Sequence, residues 1–192
     1  MTTLDKILKN RLGFSLAEMI ISTFIGVLIL IVIATTFSLN EKTLRKANLT
    51  AELTQNARVA LDLMSREIRQ AKNIVTTLPV DNSNPATVAH ELLFEDGHIT
   101  SQIQYIRYYS SGTELWRQVI VYYFDVDPAI YVHFDDQNAF GGPTATTTDD
   151  KIIGEDITQM DFYGPNIINV DLILQKQGEQ EQIKSIINPR NI

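Results

Sequence analysis

Residues 19–37 carry no charged side chain, and this stretch constrains the fold more than any other part of the sequence. It reads MIISTFIGVLILIVIATTF. As a helix rising about 1.5 Å per residue, it would measure roughly 28 Å, close to the hydrocarbon thickness of a bilayer. Because a backbone in lipid must satisfy its own hydrogen bonds, a helix is the form expected there. The sequence therefore predicts one membrane-spanning helix, with a buried core helix of a soluble protein as the alternative.

The flanks of this run separate it from an ordinary secretory signal. A secretory signal has a shorter apolar region followed by a small-x-small cleavage site, and the run here is longer and continues into Ser38 and Leu39. Lys6, Lys9 and Arg11 precede it, which suits a cytoplasmic N-terminus. Basic residues also follow the run from residue 42 onward, so charge alone does not fix its orientation.

Glu18 stands immediately before the apolar run, where a carboxylate needs an explanation. A charged side chain near the centre of a bilayer costs on the order of 2.5–3.5 kcal/mol, and less near an end of the helix. One interpretation is that Glu18 reaches headgroup water. The other is that it has a positive partner in another subunit, and cleavage after Gly13 would create that partner as a new α-amino group on Phe14.

The arrangement of Gly13, Phe14 and Glu18 resembles the N-terminal motif of type IV pilins and pseudopilins. In that family a short basic leader ends in glycine, phenylalanine usually follows, and glutamate is the fifth mature residue before an apolar helix. The resemblance implies that a prepilin peptidase cuts between Gly13 and Phe14, that Phe14 is N-methylated, and that Glu18 pairs with a neighbouring N-terminal amine during filament assembly. One departure is the absence of a proline between residues 14 and 73, where many major pilins carry one.

The resemblance also implies a domain organisation, a location and partners. Residues 1–13 would be the leader, 14–40 the transmembrane helix, 41–75 an amphipathic stalk helix and 76–192 a β-rich head. The implied location is the inner membrane, spanned once with the head outside the cytoplasm, and then a pilus or pseudopilus. The implied partners are other pilin or pseudopilin subunits, the prepilin peptidase, the inner-membrane assembly platform and membrane lipid.

The stalk is also predicted from the residues themselves. Residues 41–73 contain no glycine or proline, and apolar side chains recur at three- and four-residue steps, which indicates one apolar helix face. We expect the helix to continue to about residue 73 and to pack this stripe against the head. The stripe consists of Leu53, Ala57, Ala60, Leu61, Met64, Ile68 and Ala71.

Strand patterns follow a break at residues 78–89 that is rich in proline and asparagine. Strands are predicted at residues 91–95, 101–109, 115–126, 130–134, 157–163, 168–174 and 183–187. Residues 119–124 are expected to be buried on both faces, residues 168–174 to be half-exposed, and the threonine-rich residues 141–150 to form a polar loop. Residues 177–179 are predicted to form a hairpin turn. A long helix followed by antiparallel strands predicts an α+β fold.

Two further stretches resemble particular members of the family. Residues 55–71 are similar to the stalk segment of the J-type pseudopilin of type II secretion and of the W-type minor pilin, and residues 186–191 are similar to their terminal strand. The resemblance implies a minor subunit that initiates or caps a filament. The retained acid at Glu18 argues against the K-type tip subunit, which usually lacks it. The sequence leaves secretion, adhesion or motility, and DNA uptake open.

The residues predict neither an enzyme nor a cofactor or metal site. His90, His98 and His133 lack the spacing of zinc ligands, and the sequence contains no nucleophile elbow or phosphate-binding glycine loop. The acid pairs at residues 125/127, 135/136 and 149/150 are typical of solvated loops, with a calcium site as a weaker alternative. The formal net charge of −7 argues against nucleic-acid binding. The absence of cysteine excludes disulfides and thiolate metal sites.

Two rival functions remain open from the sequence. A single-pass anchored binding domain would hold a ligand on strands that carry Trp116 and the tyrosines, although aromatic residues on strands more often pack in a sheet. In that case Glu18 would be incidental and the chain would not polymerise. A membrane-anchored hydrolase is the third possibility, and the missing catalytic motifs count against it.

Overall fold

The computed structural model describes residues 15–99 and 101–190 of the 192-residue chain. Within these residues the chain forms one long helix, α1 (Leu16–Ile68), followed by nine strands that all pair antiparallel. The α+β fold predicted from the sequence is therefore confirmed. The chain divides into two compact units between Ala47 and Asn48, and this boundary lies inside α1.

The strands all lie in the second unit. They are β1 (Asn73–Ile74), β2 (Glu91–Glu95), β3 (Tyr105–Ser111), β4 (Glu114–Phe124), β5 (Asp127–Val132), β6 (Thr144–Gly154), β7 (Ile157–Tyr163), β8 (Ile168–Lys176) and β9 (Glu179–Ile187). Residues 78–89, which were predicted to separate the helix from the strands, contain no helix or strand.

The first unit contains the apolar part of α1. Every residue from Ser15 to Phe37 is exposed except Gly26, which is half-buried. By length and composition α1 is the one described helix apolar enough to cross a membrane, and none of its most apolar stretch is buried within the protein. The exposure counts against the alternative of a soluble core helix, whose apolar side chains would be covered. The chain thus has a long apolar N-terminal helix that is compatible with a transmembrane helix and consistent with membrane anchoring.

The larger sheet, sheet A, runs in the order β1-β2-β3-β4. Beyond the first residue of β3, which lies opposite Ile120, β5 pairs with the last residues of β4 through Tyr122 and Tyr123. On its other edge β4 pairs with β6 along nearly its whole length, from Leu115 opposite Gly154 to Tyr123 opposite Thr144. This long strand, β4, therefore organises sheet A.

The smaller sheet, sheet B, runs in the order β7-β8-β9. The β8–β9 hairpin turns through Gln177 and Gly178, which have φ values of 50° and 87°, as a tight hairpin turn requires. The predicted hairpin is confirmed. Phe162 of sheet B forms an isolated bridge with Ala89, two residues before β2, and its N–H donates to the carbonyl of Ala89 at 2.8 Å.

The second half of α1 packs on these sheets through the predicted stripe. The six stripe residues within α1, and Ala71 just after its end, are at most 6% exposed, and they form one core cluster with apolar residues of both sheets. Among the largest of these partners are Phe94 on β2, Leu115 on β4 and Phe162 on β7. The period of the apolar residues therefore predicted the packed face of the helix correctly.

The helix ends at Ile68, earlier than predicted, because the following backbone bonds to strands instead. The N–H groups of Gln70 and Ala71 donate to the carbonyls of Glu67 and Ile68, three residues earlier. The N–H of Lys72 then donates to the carbonyl of Glu95 at 3.1 Å. Residues 73–74 then pair with β2 as β1. The end of the helix is therefore set by long-range pairing with β2 and not by a local helix-breaking residue.

The structure corrects three of the strand predictions. Residues 144–150 belong to β6 and not to a loop, because threonine suits a strand and this segment has β4 as its partner. β4 is not buried on both faces: Val119 and Val121 are buried, and their neighbours are partly exposed. β8 is more buried than predicted, because it is the central strand of sheet B and even Asp171 is only 3% exposed.

Candidate functional site at the start of the helix

Glu18 lies in the first turn of α1 and is held there by a reciprocal pair of hydrogen bonds with Ser15. The Ser15 backbone N–H donates to Glu18 Oε2 at 2.9 Å, and the Glu18 N–H donates to Ser15 Oγ at 3.2 Å. The Met19 N–H closes the first helical turn onto the Ser15 carbonyl at 3.1 Å. This pattern is a capping box, in which an N-cap serine and a glutamate three residues later satisfy free donors at the helix start.

The capping box gives the Glu18 carboxylate a favourable local environment. The N-terminus of a helix carries a partial positive charge, so an acid in the first turn is stabilised by typically 0.3–1 kcal/mol. That stabilisation offsets part of the cost of a carboxylate at the membrane boundary. The Ser15 contacts are neutral, and no ion pair joins Glu18 to another residue in the described part of the chain.

The surface around Glu18 is apolar. The groove along the first three turns of α1 is lined by Leu16, Met19, Ile20, Thr23, Phe24 and Val27. Phe24 and Met19 are 64% and 68% exposed, so these side chains are available to lipid or to another chain. The combination is a carboxylate at the end of an uncovered apolar face.

Threonine hydroxyls in the apolar helix are satisfied within the helix. Thr23 Oγ1 donates to the Met19 carbonyl at 2.7 Å, and Thr35 and Thr36 both donate to the Val32 carbonyl at 2.9 and 2.8 Å. A hydroxyl bonded back to its own helix exposes no free donor to hydrocarbon. These threonines are therefore compatible with a membrane.

Gly13 and Phe14, the predicted cleavage and methylation residues, lie outside the described residues. The structure thus places one of the three predicted site residues, Glu18, at the first turn of α1. The part of Ser15 in the capping box was not predicted from the sequence. The spacing Ser15-x-x-Glu18 directly before an apolar run would have indicated it.

The tyrosines that a binding domain would use differ in their exposure to solvent. Tyr105 and Tyr108 are at most 1% exposed and belong to the interior of the second unit. Tyr109 stacks on Trp116 with ring centroids 6.4 Å apart, and the Arg107 guanidinium lies 4.7 Å from the Tyr109 ring. This Arg107–Tyr109–Trp116 stack is partly exposed, and so are Tyr122 and Tyr123 on β4.

Buried titratable groups in the second unit have structural partners. Asp96 accepts hydrogen bonds from the Gln104 side chain at 2.7 Å and from the His98 N–H at 2.9 Å. Asp171 accepts from Gln182 at 2.8 Å, and the Lys184 ammonium lies 2.9 Å from it. The ion pair with Asp171 raises the pKa of Lys184 above its ordinary value.

The histidines and acid pairs named in the sequence analysis do not converge. His90, His98 and His133 are all exposed, and among residues 15–99 and 101–190 no three histidine, aspartate or glutamate side chains form a group able to hold a metal ion. Asp125 accepts from Thr144 at 3.0 Å, and Asp136 accepts from the His133 N–H at 2.8 Å. These acids organise the loops that carry them.

Comparison with known proteins adds no identification. No model of a known protein family matches the sequence, and no curated protein matches it closely enough to be a relative.

Proposed function

We propose that this chain is a minor subunit of a type IV pilus or a type II secretion pseudopilus. It is inserted in the inner membrane with its leader in the cytoplasm, cut between Gly13 and Phe14, and methylated on Phe14. It then joins a filament through its apolar helix, at a position where it initiates or caps assembly. Its partners are the prepilin peptidase, the assembly platform and other subunits, and it is not an enzyme.

The observation that carries this proposal is the position of Glu18. A carboxylate without an ion-pair partner among the described residues stands at the start of an exposed apolar stretch, five residues after the glycine of the proposed leader. A free α-amino group on Phe14 of a neighbouring subunit is the cation this arrangement suits, because opposite charges attract strongly where water is scarce. Two further features support the proposal. The threonine hydroxyls of the apolar helix are hydrogen-bonded to carbonyls of the same helix, which suits a membrane. A head with a packed apolar core follows the helix.

The first test is the intact mass of the membrane-extracted protein, with and without prepilin peptidase. The expected result is loss of residues 1–13 and gain of one methyl group, both dependent on the enzyme. A full-length chain in both preparations would overturn the proposal. It would then favour a single-pass anchored binding domain, for which the Arg107–Tyr109–Trp116 stack is the supporting observation.

The second test separates the charge of Glu18 from its capping role. Glu18→Gln keeps an oxygen acceptor for the Ser15 N–H but removes the charge, since glutamine also serves in a capping box. Ser15→Ala keeps the charge but removes the hydroxyl acceptor, at a cost of about 1 kcal/mol to the helix start. We expect Glu18→Gln to block incorporation into filaments and Ser15→Ala to reduce it modestly. The opposite ranking would show that Glu18 acts as a cap and would sink the pairing hypothesis.

A further inference from the structure

One lysine joins α1 to the connection between the two sheets. Lys176 is the last residue of β8, and its Nζ lies 2.8 Å from Glu52 Oε1 on α1 and 3.0 Å from Asp156 Oδ2. Asp156 belongs to the two-residue connection between β6 and β7. The hydrogen bond to Glu52 first, and then the one to Asp156, raises the pKa of Lys176 above its ordinary value. We call Glu52, Lys176 and Asp156 the α1 clamp.

The sheet side of the α1 clamp is fixed by backbone hydrogen bonds. The Gln175 N–H donates to the Asp156 carbonyl at 2.8 Å. The N–H of the next residue, Ile157, donates to the Thr113 carbonyl at 2.9 Å. Asp156 has a φ of 62°, a left-handed conformation that aspartate adopts more readily than most residues. Movement at the clamp is therefore expected on the side of Glu52.

The helix side of the α1 clamp is weakly packed. Among residues 48–56, all of which the structure describes, Leu53 alone is buried. Residues 57–71 contribute the other six members of the apolar stripe to the core. Asparagine and threonine form helix less readily than alanine or leucine, and four of them fall in this short segment: Asn48, Thr50, Thr54 and Asn56. Weak packing and weak helix propensity therefore coincide around Glu52.

The far end of the packed helix is held by better-protected contacts. Glu67 binds the buried Tyr108 hydroxyl and Arg117, whose side chain is 16% exposed. In the α1 clamp, the side chains of Lys176 and Glu52 are 28% and 48% exposed. Salt screens charges that face water more strongly than buried charges. Of these two attachments of α1, the α1 clamp is therefore the one that salt weakens more.

We propose that residues 48–56 are a salt-sensitive hinge in α1, which the α1 clamp holds in its helical, packed form. When the clamp opens, Leu53 and the turns around it separate from the sheets, while residues 57–68 stay packed. The opening is local because the apolar stripe and the Glu67 contacts hold the rest of the packed helix. This inference does not depend on the filament function, since it concerns how the head holds its own helix and requires no partner.

Amide hydrogen exchange of the full-length chain in detergent, followed by peptide mass spectrometry, tests the hinge. In Lys176→Gln we expect residues 48–56 to exchange roughly fivefold faster than in the wild type, the upper end of what exposed ion pairs contribute. Residues 57–68 should change far less. Lys151→Gln is the matched control, because Lys151 Nζ lies 2.9 Å from Asp149 on the same strand and this ion pair includes no residue of α1. It should leave residues 48–56 unchanged.

Salt and the partner residue give two further readings of the α1 clamp. Raising the ionic strength from about 0.05 to about 0.5 M shortens the range of the charges about threefold. It should speed exchange of residues 48–56 in the wild type and leave Lys176→Gln unaffected. Glu52→Gln should reproduce most of the effect of Lys176→Gln, and the double variant should exchange no faster than Lys176→Gln, because both changes remove the same interaction. Glu52 is exposed, so its replacement leaves the core intact.

Several results would contradict the hinge. Equal acceleration of residues 48–56 and 57–68 would show that Lys176 contributes only to overall stability. Unchanged exchange in Lys176→Gln, the same acceleration in Lys151→Gln, or a salt response that persists without Lys176 would each overturn the proposal. The unfolding temperature of each variant, measured on the same preparation, separates local opening from unfolding of the whole head.

Discussion

Replacing Glu67 tests how α1 is held on sheet A. The Glu67 carboxylate accepts hydrogen bonds from Arg117 Nε at 3.0 Å and from the hydroxyl of Tyr108, and Arg117 Nη2 lies 2.9 Å from it. Tyr108 is fully buried, and the Arg117 side chain is 16% exposed. Burial first, and then the charge of Glu67, raises the pKa of Tyr108. Burial by itself would lower the pKa of Arg117. The hydrogen bonds to Glu67 outweigh that effect and raise the pKa of the guanidinium.

The loss of stability expected for Glu67→Ala follows from the groups that lose their partner, Tyr108 and Arg117. A buried tyrosine hydroxyl without its acceptor costs about 1–3 kcal/mol. Arg117 keeps Asp149, whose Oδ2 lies 3.4 Å from Nη1, and some access to water, so its loss is smaller than the 3–5 kcal/mol of a fully buried pair. We expect a total of about 3 kcal/mol, or a fall of roughly 6–12 °C in the unfolding temperature. Glu67→Gln keeps an acceptor and the side-chain volume and should cost about 1 kcal/mol.

Near-ultraviolet circular dichroism of the full-length chain in detergent is a suitable assay. The single tryptophan and all seven tyrosines fall in residues 105–163, so the signal reports unfolding of the second unit and not of the apolar helix. A double-mutant cycle with Tyr108→Phe should give a coupling free energy of about 1 kcal/mol or more. If Glu67→Ala were no less stable than Glu67→Gln, or if the coupling were zero, the reasoning would be refuted.

Two further predictions concern the second unit. A Cβ atom on Gly97 would lie 1.9 Å from the backbone carbonyl oxygen of Gln70, so Gly97→Ala should lower the free energy of unfolding by about 3 kcal/mol or more; thermal unfolding within a degree of the wild type would contradict this. Burial raises the pKa of Tyr105 to about 12, so its contribution to stability is complete below about pH 10 and is lost as the pH rises through 12. An alkaline titration followed by tyrosinate absorbance should therefore show a late step that coincides with unfolding, and a single step at the ordinary tyrosine pKa would refute this.

The elements that the sequence predicted correctly are those with a clear local sequence pattern. The three- and four-residue recurrence of apolar residues located the packed face of α1, and β2 and β7 begin and end at the predicted residues. The β8–β9 hairpin was predicted because Gly178 supplies a positive φ at the turn. In each case the information is local and lies within about ten residues.

The sequence did not predict features that depend on distant partners. β6 has no alternating apolar pattern, and it is a strand because β4 supplies the partner for its backbone. The end of α1 at Ile68 depends in the same way on β2, more than twenty residues later in the chain. Residues 168–174 were expected to be half-exposed because their pattern alternates, yet β9 covers Asp171 with Gln182 and Lys184.

The candidate site was predicted in part. Glu18 was singled out because an acid before an apolar run is rare in lipid, and the structure places it in the first turn of an exposed helix. The contact between Ser15 and Glu18 could have been predicted from their three-residue spacing, but it was not. The depression between Val59 on α1 and Ile152 on β6 was not predictable, since its walls come from segments about ninety residues apart that tertiary packing brings together.

The hydrogen bonds between Ser15 and Glu18 have a consequence for the order of events at the N-terminus. Both bonds, and the closure of Met19 onto Ser15, are made wholly within residues 15–19. These three bonds therefore need no donor or acceptor from residues before Ser15. The cut proposed between Gly13 and Phe14 would leave these three bonds in place, so the proposed maturation would change the charge at the end of the chain while the capping box persists.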